Sequence, residues 1–108
     1  MRTTEEIAAG LLNTVSDNSS SDTGNAVGFN NTASGNYSLA MGSNNQALGS
    51  NSIALTDRAI ARGGFSLAGG SWAETGEGAP SAIAYGGYAK ALGSSSQAFG
   101  YNTQAIGK

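Results

Sequence analysis

Small apolar residues recur along most of the chain at a fixed step. From residue 26 onward, alanines stand seven residues apart in two runs, which are Ala26, Ala33, Ala40, Ala47, Ala54, Ala61 and Ala68, and then Ala84, Ala91, Ala98 and Ala105. A glycine stands two residues after almost every one of them, and Thr56 replaces it once. Because a period of this kind decides the architecture, it takes precedence over local patterns.

A period of seven is compatible with either a coiled coil or repeated short strands. Glycine in every repeat, with serine and asparagine between, excludes a stable helix on propensity. The segment Ser38-Leu39-Ala40-Met41 alternates between small and large side chains, which is typical of a strand. Each unit therefore predicts a short strand and a tight turn.

The small side chains predict a thin interior. Each alanine shares one face of its strand with the residue two positions before it, and these residues are Ser38, Asn45, Ser52, Ala59, Ser66, Ala82, Ala89, Ser96 and Thr103. We expect room for only Ala, Ser or Thr between two facing strands.

The opposite face of the strands alternates in character. One set of strands carries Leu39/Met41, Ile53/Leu55, Leu67/Gly69, Ile83/Tyr85 and Gln97/Phe99, and the other carries Gln46/Leu48, Ile60/Arg62, Glu74/Gly76, Lys90/Leu92 and Gln104/Ile106. The true period is therefore fourteen residues, with two strands per coil. Stacked coils predict an all-β parallel solenoid that rises about 4.8 Å per coil.

The first set of strands leaves an apolar stripe on the outside of a single copy. A long exposed stripe marks an interface, and a closed cyclic assembly would cover it. The residues expected to carry assembly are Leu39, Met41, Ile53, Leu55, Leu67, Ile83, Tyr85 and Phe99. The pattern alone leaves dimer and trimer open.

Residues 1–25 follow a different pattern and are interpreted as a separate attachment segment with a polar linker, ahead of the repeat at 26–108. Thr3 and Glu6 match a capping box. The apolar residues Ile7, Leu11, Leu12 and Val15 fall at helical spacing, which predicts a short N-terminal helix. A frayed tail is the alternative.

The repeats resemble a known family. The runs Ser38-Leu39-Ala40-Met41-Gly42, Asn45-Gln46-Ala47-Leu48-Gly49 and Ser96-Gln97-Ala98-Phe99-Gly100 look like the head repeats of YadA-like trimeric autotransporter adhesins. The resemblance covers about residues 26–107. It implies a left-handed parallel β-roll assembled as a homotrimer, with a non-enzymatic role in adhesion to a cell-surface receptor or glycan. The same roll is expected in phage tail-fibre proteins.

Such a roll fits a phage tail fibre, a bacterial adhesin or a structural spacer. The chain shows no neck motif, coiled-coil stalk, membrane barrel or signal peptide of the adhesin family, and it carries the predicted helix after Met1. These features favour a phage tail fibre on the virion, docked to a baseplate or tail protein through residues 1–15. A head fragment of a bacterial adhesin at the outer surface and a purely structural trimeric spacer are the alternatives.

The repeat is interrupted once, where its phase slips by two residues between Gly70 and Gly86. The segment Ser71–Pro80 holds Trp72, Glu74 and Glu77 and is predicted to form a displayed loop, a common place for recognition. A tryptophan near carboxylates could pack on a sugar face. A bulge with Trp72 lying on the neighbouring coil is the other interpretation.

Counting coils predicts a column at one corner, formed by Asn30, Asn44, Arg58, Trp72, Tyr88 and Asn102. A cation–π contact between Arg58 and Trp72 and a stack of Trp72 on Tyr88 should follow. Such ladders also simply stabilise solenoids. The candidate receptor-binding residues are Arg58, Trp72, Glu74, Glu77 and Tyr88.

The composition limits the catalytic and binding functions that the chain can have. The 108-residue chain has no His and no Cys, so the usual nucleophile–base pairs and thiolate metal sites are excluded, and neither an enzyme nor a cofactor is predicted. A net charge of −2 disfavours nucleic-acid binding, and no apolar run is long enough to insert into a membrane. A carboxylate pair of Glu74 and Glu77, or a calcium site that adds Asp57, is a minor alternative.

Overall fold

The computed structural model describes residues 7–11, 13–15 and 24–107. These residues form fourteen strands and no helix. The strands are β1 Ile7–Leu11, β2 Thr14–Val15, β3 Asn25–Phe29, β4 Thr32–Ala33, β5 Leu39–Ser43, β6 Gln46–Ala47, β7 Ile53–Asp57, β8 Ile60–Ala61, β9 Leu67–Gly69, β10 Glu74–Thr75, β11 Ile83–Tyr85, β12 Lys90–Ala91, β13 Gln97–Phe99 and β14 Gln104–Ala105. Nothing in the described ranges offers a helix that could cross a bilayer.

The strands form two parallel sheets that face each other across the interior. Odd-numbered strands make one sheet, here called the long sheet, and even-numbered strands make the short sheet, each in sequence order. Leu39 pairs with Ile53, and Ile53 pairs with Leu67, so neighbouring coils are fourteen residues apart. The predicted solenoid and its register are confirmed.

The interior is as thin as the small side chains require, because the alanine columns of both sheets are buried. One expectation is wrong, since Asn31 and Asn45 are also fully buried there. Their amides fit because they lie between coils and complete hydrogen bonds in both directions. A buried amide whose donors and acceptor are all hydrogen-bonded avoids the desolvation penalty that an unpaired polar group would carry.

The interior amides form an asparagine ladder, made of the half-buried Asn13 and the fully buried Asn31 and Asn45. Asn45 Nδ2 donates to the carbonyls of Met41 (2.7 Å) and Thr56 (3.1 Å), while its Oδ1 accepts the N–H of Ala59 at 2.9 Å. Asn31 repeats the pattern one coil earlier, with Oδ1 accepting the Asn45 N–H at 3.0 Å. Each amide therefore ties its own coil to the next one.

Each coil turns at two corners. The first corner leads from a long-sheet strand to a short-sheet strand, and the second corner leads back. Both place a non-glycine residue in the left-handed region. The first-corner residues are Asn30, Asn44, Arg58, Trp72, Tyr88 and Asn102, and the second-corner residues are Tyr37, Asn51, Phe65, Ser81 and Ser95, with φ between 55° and 65°. The corner column expected from the sequence is confirmed.

The predicted N-terminal helix is wrong for the residues that the structure describes. Ile7 and Leu11 lie in β1 and Val15 lies in β2, while Thr3, Glu6 and Leu12 lie outside the described residues. β1 pairs with β3 and aligns Gly10 with Gly28, and Gly10 has φ 115°, which no α-helix accommodates. The described strands β1 and β2 thus belong to the same two sheets as the strands that follow residue 24.

The two-residue phase slip lies at the second corner, not in a loop spanning Ser71–Pro80. Glu74 pairs with Ile60 at the normal spacing, whereas the N–H of Ser81 donates to Gly64 O at 2.8 Å. The extra residues are thus Glu77 and Gly78, in a turn closed by Ala79 N–H to Gly76 O at 3.1 Å. Trp72 lies in a regular first corner.

Candidate binding surfaces

The apolar stripe lies on the outer face of the long sheet, where all eight of its predicted residues are found. Met41 is 43% exposed and Phe99 57% exposed, so this face of a single copy offers large apolar side chains to solvent. Val27 extends the stripe by one coil, because it pairs with Met41, and Phe29 lies beside it in register with Ser43. Sequence reasoning missed them, although Asn25–Phe29 alternates like the strands that follow.

The stripe becomes aromatic toward the last coils. A Cβ added at Gly69 would lie 2.7 Å from Tyr85 Cδ1, so the Tyr85 ring rests directly on the glycine backbone. Tyr85 and Phe99 pack with ring centroids 6.5 Å apart and tilted by 59°. The missing side chain at Gly69 thus leaves room for the Tyr85 ring at a position that is aliphatic in earlier coils.

The edges of the stripe between β5 and β9 are polar. Toward the first corner lie Ser43 and Asp57, which are register partners in β5 and β7. Toward the second corner the exposed rings of Tyr37 and Phe65 stand in one column with Asn51 between them, so they do not extend the stripe as a continuous apolar surface. A partner that covers this part of the stripe therefore meets polar residues at both edges.

The first corner carries a second continuous surface, here called the aromatic ladder, formed by Arg58, Trp72, Tyr88 and Tyr101. The Arg58 guanidinium carbon lies 5.1 Å from the Trp72 ring centroid. Trp72 and Tyr88 stack at 6.4 Å with planes 7° apart, and Tyr88 meets Tyr101 edge to face at 5.9 Å. The two contacts expected from the sequence are present.

Tyr101 was missed because it stands one residue earlier in its coil than Tyr88 does. Its ring lies beside Gly87, whose added Cβ would be 3.2 Å from Tyr101 Cδ1. A glycine one coil above an aromatic residue, in the same column, is the sequence signal that could have identified it. The same signal applies to Gly69 above Tyr85.

The ring faces of the ladder are unequally available. Arg58 and Tyr88 belong to the coils before and after Trp72 and lie against its ring, while Trp72 stays 47% exposed. Both neighbours restrict the ring faces of Trp72 on which a sugar could stack. Tyr101 is 76% exposed and contacts Tyr88 on one side only.

The predicted receptor-binding set is divided by the fold. Arg58, Trp72 and Tyr88 come together, whereas Glu74 lies on the short sheet in an ion pair with Arg62, and Glu77 lies in the turn at the second corner.

Asp57, the third acid of the calcium hypothesis, forms an ion pair with Arg58 at 2.9 Å. Asp57, Glu74 and Glu77 thus occupy three separate places. No group of three metal-binding side chains assembles among the described residues, so the calcium site finds no supporting arrangement, and Glu74 of the carboxylate pair is engaged by Arg62.

Comparison with protein families gives one match, to the YadA head domain repeat, in two copies at residues 26–45 and 47–66. The resemblance inferred from the repeats is confirmed for this stretch. In the structure the same coils continue through residue 107, beyond the matched copies. No curated protein and no solved structure matches the chain.

Proposed function

Since residues 26–66 carry YadA head domain repeats, we propose that this chain is the head module of a trimeric adhesin displayed on a bacterial outer surface. YadA head domains are in general non-enzymatic, form trimers and bind surfaces. The role proposed for this chain is accordingly attachment without catalysis, with the solenoid acting as a stiff platform for its outer faces.

The observation that carries this proposal is the apolar stripe. Its large side chains lie outside a core built mainly from alanine, so a single copy leaves much of its best apolar surface in water. Burial is worth about 25 cal/mol per Å² of apolar surface. Three copies that turn their long sheets toward a common axis would gain the free energy of burying the stripe. Their short sheets and first corners would stay in solvent.

The test uses a matched pair of variants in one coil. Ile53 lies on the outer face of the long sheet and Ile60 on the outer face of the short sheet, and both are half-buried. Light scattering should give a trimer for the parent chain and for Ile60→Asp, but a monomer for Ile53→Asp. Three unpaired carboxylates buried around one axis would prevent assembly.

The other outcomes are informative. A stable trimer from Ile53→Asp would place the interface elsewhere, and a monomeric parent chain would remove the adhesin proposal. If both variants are monomeric, circular dichroism separates unfolding from an interface that includes the short sheet, and the latter would contradict the axis-facing stripe.

The two alternatives to a bacterial adhesin are a phage tail fibre and a purely structural spacer. The tail-fibre hypothesis loses one of its supports, because the strands β1 and β2 take up the described part of the segment expected to form a docking helix. We therefore favour attachment at the bacterial surface. The spacer alternative is tested by the binding of chain-coated beads to cultured cells, since a spacer gives no binding above that of beads coated with Ile53→Asp monomer.

A further inference from the structure

The aromatic ladder is a surface that assembly through the stripe does not use. The Arg58–Asp57 pair lies exposed at its start. The column between the ladder and the stripe holds Asp57, Ser71 and Gly87 in the coils of Arg58, Trp72 and Tyr88, and Tyr101 takes this position in the next coil. Burying a charged pair in an interface costs more desolvation than this geometry returns. The ladder therefore stays in solvent in the trimer from Arg58 to Tyr88, and Tyr101 stands at the boundary between the two surfaces.

Its exposed groups are suited to a particular chemistry. The Trp72 N–H and the hydroxyls of Tyr88 and Tyr101 have no hydrogen-bond partner within the described part of the chain, and Tyr101 presents most of its ring to water. Rings that offer an apolar face and a polar rim suit amphipathic ligands. Sugars, which have C–H faces and hydroxyl edges, are such ligands.

The charges favour a neutral ligand. Asp57 neutralises Arg58, and Glu74 neutralises Arg62 on the short sheet. Lys90, the other cation among residues 24–107, belongs to the short sheet as well. The ladder thus has no uncompensated cation with which to hold a sulfate or carboxylate.

We propose that the aromatic ladder binds a neutral polysaccharide chain running parallel to the solenoid axis. Tyr101 provides the stacking ring, and the edges of Trp72 and Tyr88 provide polar contacts to successive sugars. Successive coils rise by about 4.8 Å, close to the length of one pyranose unit, so each coil meets one sugar. This inference deepens the attachment role proposed above and depends on it.

The experiment is affinity electrophoresis of the full chain in native gels that contain dextran, yeast mannan, laminarin or dextran sulfate. We expect retardation by at least one of the three neutral polysaccharides and about tenfold weaker binding for Tyr101→Ala. Phe65→Ala is the control, because Phe65 is 69% exposed at the second corner and lies outside the ladder. It should bind like the parent chain.

Three results would overturn the inference. They are the absence of retardation by every neutral polysaccharide, an equal loss in both variants, and retardation by dextran sulfate alone. Bead attachment to cells, measured in parallel, distinguishes the two proposals. If beads attach without polysaccharide binding, the adhesin role stands and its receptor is of another class, whereas failure of both assays removes the adhesin role as well.

Discussion

The two halves of the solenoid hold their coils together in different places. In the first half, from β1 to β8, side-chain amides bridge the coils from inside. In the second half, from β9 to β14, interior corner positions carry Ala73 and Ala89, and stacked rings connect the coils from outside. One backbone template thus accommodates two modes of cohesion between coils.

The backbone hydrogen bonds also differ between the two halves. In the first half, the N–H of Ala59 reaches the Asn45 side chain of the previous coil at 2.9 Å. In the second half, the equivalent N–H of Ala73 turns back to Gly70 O of its own coil at 3.2 Å. Long-sheet pairing also shortens, from five residues between β5 and β7 to three between β7 and β9.

The change occurs within a single coil. Thr56 O accepts the last amide of the asparagine ladder, and Arg58 begins the aromatic ladder two residues later. Thr56 also occupies a position that is glycine in every other coil, with φ 93°. The interior amides thus give way to a corner ladder without a change of register, while one hydroxyl, Thr75 Oγ1, still accepts the Arg62 N–H of the preceding coil from inside at 3.0 Å.

What the halves share is the glycine column of the first corner, and breaking it should have the largest effect. Gly42 has φ 125° and Gly86 has φ 133°, and an added Cβ would overlap the carbonyl of the following coil at either site. We expect Gly42→Ala and Gly86→Ala each to lower the free energy of unfolding by about 3 kcal/mol or more, measured by urea denaturation at fixed chain concentration.

Gly78→Ala is the control for these two variants, because an added Cβ there meets nothing within 4 Å. It should change stability by less than about 0.5 kcal/mol. A mild effect at only one of Gly42 and Gly86 would show that the halves do not share one backbone template.

Removing a ladder amide should affect the first half next most strongly. Asn45→Ala leaves the Ala59 N–H and the carbonyls of Met41 and Thr56 without their partners, so we expect a loss of about 2–3 kcal/mol. Gln46→Ala, an exposed amide one residue away, should be nearly neutral. Equal effects of the two variants would mean that the interior amides do not hold the coils together.

A ring deletion tests the second half. Trp72→Ala removes contacts with both Arg58 and Tyr88, so we expect a loss of about 1–2 kcal/mol. Phe65→Ala is well matched, since Phe65 has φ 56° and Trp72 has φ 65°, and alanine meets the same backbone strain at both. If Phe65→Ala costs as much in thermal or urea denaturation, the aromatic ladder adds no stability.

The smallest effect is expected at the boundary itself. Thr56→Gly relieves a β-branched residue of its left-handed strain but loses the hydrogen bond from the Gly70 N–H to Thr56 Oγ1 at 2.6 Å. The two terms nearly cancel, and we expect a net gain of about 0.5 kcal/mol in the same denaturation assay. A clear loss would show that the hydroxyl bond outweighs the strain.

The sequence was sufficient for the parts of the fold that follow from periodicity. The fourteen-residue coil, the pairing of Leu39 with Ile53 and the corner column from Asn30 to Asn102 were all predictable, because a repeated unit has one consistent register. The asparagines were not predictable as core residues. Their burial depends on amide bonds to the next coil, which only the stacked geometry reveals.

The errors arose where repetition is interrupted. Ala8 and Gly10 have the spacing of Ala26 and Gly28, but they precede them by eighteen residues rather than fourteen. The prediction for this segment therefore followed the local helical spacing of its apolar residues instead of the repeat. The length of the insertion at Glu77 and Gly78 could be read from the sequence, but its position within the coil could not. The surfaces followed the same rule, since Arg58, Trp72 and Tyr88 repeat in step whereas Tyr101 is displaced by one residue.

The direction of the backbone hydrogen bonds has a mechanical consequence. Because the coils are stacked, these bonds run along the solenoid, and a pull between its two ends loads every bond of one boundary between coils at the same time. The boundary with the fewest bonds should open first under such tension. Those boundaries lie beyond β7, where three residues pair in the long sheet and no amide bridges the interior. Tension between the two ends would thus separate the second half coil by coil while the first half kept its shape.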